Sequence, residues 1–269
     1  MFAITLILFL FATTFYGFHN RQFYYRCEMN IEALRFGKQY ERLLIASLVH
    51  SDWIHFFFNA ITLYSVANRS ASSVSAAGCF GIFMFCILSG NALTWWLKKT
   101  ELGYVSNGIT AGVLGVLFSE ITRNPNGEMS FFFLPFGIPQ WVFAFLFLGY
   151  TLYYLQNKES GLNHSNHWGG AIAGMLCAVA LTPSLVFTHP LFIACLLLPS
   201  VIFVYLLHAY PHKFIIGLGG DKRPDLTLDD KYNISKSSRQ VKVDALLDKI
   251  SKKGVAALSK EEKKILDSQ

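Results

Sequence analysis

Apolar runs recur along the chain at roughly 1–18, 53–67, 75–97, 108–122, 130–155, 168–187 and 190–209, each closed by Gly, Asn, Pro or charged residues. Runs of that length predict an all-α, polytopic bundle of six membrane helices, with a seventh C-terminal helix over 190–209. Pro190 opens that last run and Pro199 lies inside it, and membrane helices tolerate both. The first run has no basic n-region and no small-residue cleavage site, so it reads as a span rather than a secretory signal. After it, residues 19–51 mix aromatics with Arg and Lys, as an interfacial loop does. Within that loop Asn30 and Gly37 bracket a short helix. Trp95, Trp96, Lys98 and Lys99 end the third run with an aromatic belt followed by cations.

Polar groups inside these runs are few, and each needs a reason, because transfer of an unpartnered amide or imidazole into hydrocarbon costs several kcal/mol, roughly 4–8 on cyclohexane scales. Ser51 or Asp52 can cap a helix beginning at Trp53; His50 then lies just outside it, while His55 and Asn59, four apart, share one face. The fourth run opens with Gly108, Thr110, Ala111, Gly112 and Gly115, a helix thin enough for others to surround closely. The sixth opens with His167 above Gly170 and Gly174. Runs two, four and six begin on the same side of the bilayer, since an even number of crossings separates them. His55, Asn59, Thr110 and His167 are therefore expected at one depth. A hydroxyl, an imidazole and further hydrogen-bond donors are the minimal set for acyl transfer. No acidic residue stands near enough in the pattern to serve as a third member.

Composition agrees with a membrane protein: 53% of the 269 residues are hydrophobic, 15% are charged, and there are 25 Phe. The net charge is +6, and residues 211–269 hold 13 Lys or Arg against 9 Asp or Glu, so most of the excess lies in the tail. Without aromatic-basic interleaving, that suits a membrane surface rather than nucleic acid. Residues 211–240 read as a flexible linker. Residues 241–269 read as a short helical tail of cytosolic type, its second helix carrying a capping box at Ser259 to Glu262. Five cysteines without paired spacing imply neither a disulfide framework nor a thiolate metal site.

Three signatures in order, His50-x4-His55-x3-Asn59, Gly108-Ile-Thr110-Ala-x3-Gly115 and His167-Trp-Gly-Gly-x3-Gly174, resemble those of the rhomboid intramembrane serine proteases. The resemblance covers roughly residues 1–210 and implies a six-helix rhomboid bundle with one extra C-terminal helix. It also implies a hydroxyl–His dyad of Thr110 and His167, oxyanion stabilisation by His55 and Asn59, and a structural place near the site for His50, Gly108, Ala111, Gly170 and Gly174. Substrates would be transmembrane segments of other proteins, destabilised as helices near the bilayer surface. No metal or other cofactor is implied. The expected setting is the lipid bilayer, as a multi-pass protein of a bacterial inner (plasma) membrane.

One departure stands out. Where the family has Gly-x-Ser-Gly, this chain has Gly108-Ile109-Thr110-Ala111. The threonine methyl restricts χ1 and crowds a carbonyl, and Ala111 adds a Cβ beside the oxyanion pocket. One lost oxyanion donor costs about 100- to 1000-fold in rate. Two readings follow: a protease using Thr110, and an inactive rhomboid-like pseudoprotease that binds transmembrane helices. Weaker alternatives are Ser106 as a displaced nucleophile and a metal site from His50, His55, His164 and His167, which lacks a neighbouring carboxylate. An aspartyl protease would need two intramembrane acids, and Glu120 is the only acid within a run.

Overall fold

The computed structural model of the chain describes residues 2–70, 72–129, 137–156 and 163–209, and in the tail residues 246, 249, 250 and 259. The expected linker at 211–240 lies outside the described residues. So do residues 130–136 and the tail helices, apart from Leu246, Lys249 and Ile250, which are helical.

In chain order the helices are α1 (Phe2–His19), α2 (Arg21–Arg26), α3 (Ile31–Arg35), α4 (Arg42–Ile45), α5 (Trp53–Ser70), α6 (Ala76–Lys98), α7 (Thr110–Arg123), α8 (Gln140–Gln156), α9 (His164–Leu181), α10 (Leu185–Thr188) and α11 (Pro190–Ala209). Each apolar run thus holds one long helix. Among the described residues, only Ala76–Lys98 is both long and apolar enough to cross a membrane by itself; Ala3–His19 and Pro190–Leu206 are apolar but shorter. The reason is partly the polar residues at the heads of α5, α7 and α9, which lower the mean hydropathy of those helices. The number of crossings therefore rests on the pattern of runs.

The centre of the bundle is α7. Every residue from Ala111 to Thr122 is buried, as the small residues at its head predict, and α5, α6 and α9 pack around it. Gly170 on α9 meets Ala111 so closely that a Cβ there would lie 2.3 Å from the Ala111 carbonyl oxygen; one at Gly174 would lie 2.0 Å from the Gly115 oxygen. Only glycine permits backbones this close. The outer helices turn apolar side chains outward: α5 buries Phe56, Asn59, Ala60, Leu63 and Val66 and exposes Ile54, Phe57, Phe58 and Ile61. Helix α11 lies against α8, with the Phe145 and Phe192 rings 6.1 Å apart.

The first loop is ordered. Asn30 caps α3 through Ala33 N (3.0 Å), as expected, and Met29, Ile31, Leu34 and Ala46 form a small second core with Trp95 and Tyr104. Strand β1 (Met29–Asn30) pairs antiparallel with β2 (Val105–Ser106), so the loop grips the segment that leads into α7. A second two-stranded pair, β3 (Glu128–Met129) with β4 (Ile138–Pro139), lies at the other end of α7.

Candidate functional site

The site forms where α5, α7 and α9 begin. Asp52 caps α5, its Oδ1 accepting from His55 N at 2.8 Å, and this fixes the helix so that His55 and Asn59 face α7. The chain enters α7 through Gly108, whose φ of +105° and whose packing both exclude a side chain: a Cβ would lie 2.7 Å from His55 Cε1. Gly108 N donates to Ala46 O (3.0 Å) and Asn107 Nδ2 to the Tyr24 hydroxyl (2.7 Å), tying this turn to the first loop.

At the head of α7 the Thr110 hydroxyl has two partners. His55 Nε2 lies 2.9 Å from Thr110 Oγ1, and Asn59 Nδ2 donates to it at 3.1 Å. The same amide nitrogen donates to His55 O at 3.0 Å. On its other side the His55 ring meets Ser51, with Nδ1 3.0 Å from Oγ, and Ser51 Oγ donates to Asp52 Oδ2 at 3.0 Å. An acid therefore does stand behind an imidazole of the site, contrary to the expectation from sequence. It was hidden because the connection runs through a serine hydroxyl rather than directly.

His50 is fully buried beneath this chain. Its Nδ1 is joined to Thr14 Oγ1 (3.0 Å) and its ring meets those of His55 (5.3 Å) and Phe56 (5.2 Å) edge-on. Burial pushes its imidazole down to about 3, so it stays neutral and ties α1 to the site.

His167 stands in the first turn of α9, partly exposed, with His55 and His164 as electrostatic neighbours. Its ring lies 5.9 Å from that of His164. Among the described residues no hydrogen bond joins it to Thr110; the hydroxyl is committed to His55 and Asn59. Gly170 and Gly174 set the spacing of α9 from α7, and Ala111 fills the angle between Gly90 and Gly170.

One part of the arrangement gave no signal in the pattern of runs. Asn163 caps α9 through Asn166 N (3.1 Å), accepts from Thr94 (3.2 Å) and Ser165 (2.9 Å), and donates from Nδ2 to Ser106 Oγ (2.8 Å). Asn91 Nδ2 donates to Leu43 O and Asn91 Oδ1 accepts from Asn166 Nδ2, each at 2.7 Å. This polar network joins α6, the first loop, the turn before α7 and the start of α9. Ser106 belongs to it as an acceptor. Among the described residues no cluster of three or more His, Cys, Asp or Glu could hold a metal ion.

Comparison with known families places a Rhomboid domain over residues 37–184, and a family of unknown function over residues 226–269. No curated protein matches the chain, and no solved structure does.

Proposed function

The chain belongs to the rhomboid family, and from that premise we propose that it is an intramembrane endopeptidase that cuts transmembrane segments of other membrane proteins with the Thr110 hydroxyl. It is an integral membrane protein, and its family comprises intramembrane proteases and their inactive relatives. The observation that carries the reading is the hydroxyl itself: Thr110 Oγ1 lies within hydrogen-bond distance of His55 Nε2 and Asn59 Nδ2, at a partly exposed helix head that substrate and water can reach. Thr110 supplies the nucleophile, a histidine of the site takes its proton, and Asn59 is placed to donate to charge developing beside it. The resemblance gives the proton acceptor's role to His167, on the helix that packs against α7 through Gly170 and Gly174.

The second reading, a pseudoprotease that holds transmembrane helices without cutting them, draws on the missing contact between Thr110 and His167. It also draws on the Cβ that Ala111 adds. Cleavage of a model transmembrane substrate in proteoliposomes separates the two. The endopeptidase reading expects turnover by the wild type, faster turnover by Thr110→Ser, and none by Thr110→Val. Binding of the substrate with no turnover by either hydroxyl form establishes the pseudoprotease instead.

A further inference from the structure

Where the first loop meets the C-terminal end of α6, cations gather without carboxylates. Arg35 closes α3, and its Nη1 donates to the Lys99 carbonyl oxygen (3.3 Å), one of the acceptors that the last turn of α6 leaves open. That bond brings two exposed cationic residues together. Lys38 follows three residues after Arg35, exposed and at a φ of 53°. Glycine or asparagine takes such a left-handed turn position at less cost, so backbone preference does not explain a lysine there. Among the described residues the one ion pair is Lys98 with Glu101, at 3.0 Å, which leaves Arg35, Lys38 and Lys99 without a neutralising acid. Apolar rings border them. Phe36, 67% exposed, lies beneath the Arg35 guanidinium, whose Cζ is 5.3 Å from the ring centre. Tyr40, 51% exposed, meets Trp95 edge-on at 5.8 Å.

We propose that this flank is a docking site for anionic phospholipid, its phosphate held among Arg35, Lys38 and Lys99 while Phe36 and Tyr40 enter the adjoining acyl layer. Arg35 keeps N–H groups beyond the one bonded to Lys99 O, and a guanidinium matches the geometry of a phosphate. Three cations without an acid favour a headgroup of net negative charge over a zwitterionic one, whose own cation they repel. The exposed rings make the occupant a lipid rather than a free anion, because rings beside cations at the end of a span fit the layer where acyl chains give way to phosphates. The same loop grips the entry to α7: Ile31 N donates to Tyr104 O (3.2 Å), and β1 pairs with β2. A lipid held here therefore sets the level of the turn before Thr110 against the phosphates. None of this depends on whether Thr110 reacts.

Native mass spectrometry of the detergent-solubilised full chain, titrated with phosphatidylglycerol and with phosphatidylcholine, tests the site. The wild type should retain phosphatidylglycerol in preference. Each charge removed should weaken that binding about fivefold, so Arg35→Gln with Lys99→Gln should cost about 25-fold and leave phosphatidylcholine unaffected. Arg35→Lys keeps the charge and should keep the lipid. Lys38→Asn should lose about fivefold without a lower thermal midpoint, since asparagine suits the left-handed turn. Arg21→Gln with Arg26→Gln removes the same charge from exposed residues of α2 in the same loop and should leave binding unchanged. Equal retention of the two lipids, undiminished binding in the Arg35 and Lys99 pair, or an equal loss in the α2 pair would overturn the assignment. Displacement of phosphatidylglycerol by millimolar inorganic phosphate would overturn it too, by marking a site for free anions.

Discussion

Gly174→Ala tests whether the contact between α7 and α9 sets the site. A Cβ at position 174 would lie 2.0 Å from the Gly115 carbonyl oxygen and 2.7 Å from its Cα. Ordinary contact needs about 3.5 Å, so the helices must part by about 1.5 Å. Neither atom can yield, because both are backbone. Overpacking of this kind costs about 1–3 kcal/mol. The catalytic cost should be larger in proportion. His167 stands two helical turns above Gly174, on a helix whose distance from Thr110 would change, and a misplacement of about 1 Å costs on the order of 100-fold in rate. Thermal unfolding in detergent should show a lowered midpoint, and turnover in proteoliposomes should fall about 100-fold. Gly81→Ala and Gly149→Ala are the controls, since nothing lies within 4 Å of a Cβ at either position. A Gly174→Ala protein with the midpoint and turnover of the controls would refute the reasoning.

Two further perturbations address the loop and the cap. Asn163→Ala removes the α9 cap and the bond to Ser106 together and should destabilise by about 1–2 kcal/mol. Asn163→Asp, which keeps the cap acceptor but not the donor, should recover part of that in the thermal midpoint; no recovery would mean the cap contributes nothing. Glu28, outside the spans, is raised by burial from 4.5 to about 7. Between those values the folded chain holds a proton that the unfolded chain has released, so stability should fall as pH rises from about 4.5 to about 7. Glu28→Gln should flatten that slope, and an unchanged slope would show that another group titrates.

Much of the site could be read in the chain because membrane helices make polar residues conspicuous. His55 and Asn59 on one face, the thin α7, and His167 at the head of α9 all follow from spacing in an apolar background. What could not be read depended on non-local pairing or on rotamers. Strands β1 and β2 are two residues each and lie about 75 positions apart, so no period announces them. Asn91 and Thr94 sit inside α6, the one described helix both long and apolar enough to cross a membrane by itself, where a run average conceals them, yet they carry the network beneath the site. The pairing of Thr110 with His55 rather than His167 is a matter of which way one hydroxyl points, and spacing cannot decide that. The link from His55 to Asp52 through Ser51 likewise depends on side-chain angles within a four-residue turn.

The central claim is that Thr110 is the reacting hydroxyl. Its most direct measurement is to treat the full chain in proteoliposomes with a fluorophosphonate, which is attacked by an activated hydroxyl, and to map the adduct by peptide mass spectrometry. The account predicts the adduct on Thr110, on the serine of Thr110→Ser at a faster rate, and none on Thr110→Val. An adduct that persists in Thr110→Val, or its absence from both the wild type and Thr110→Ser, would contradict it.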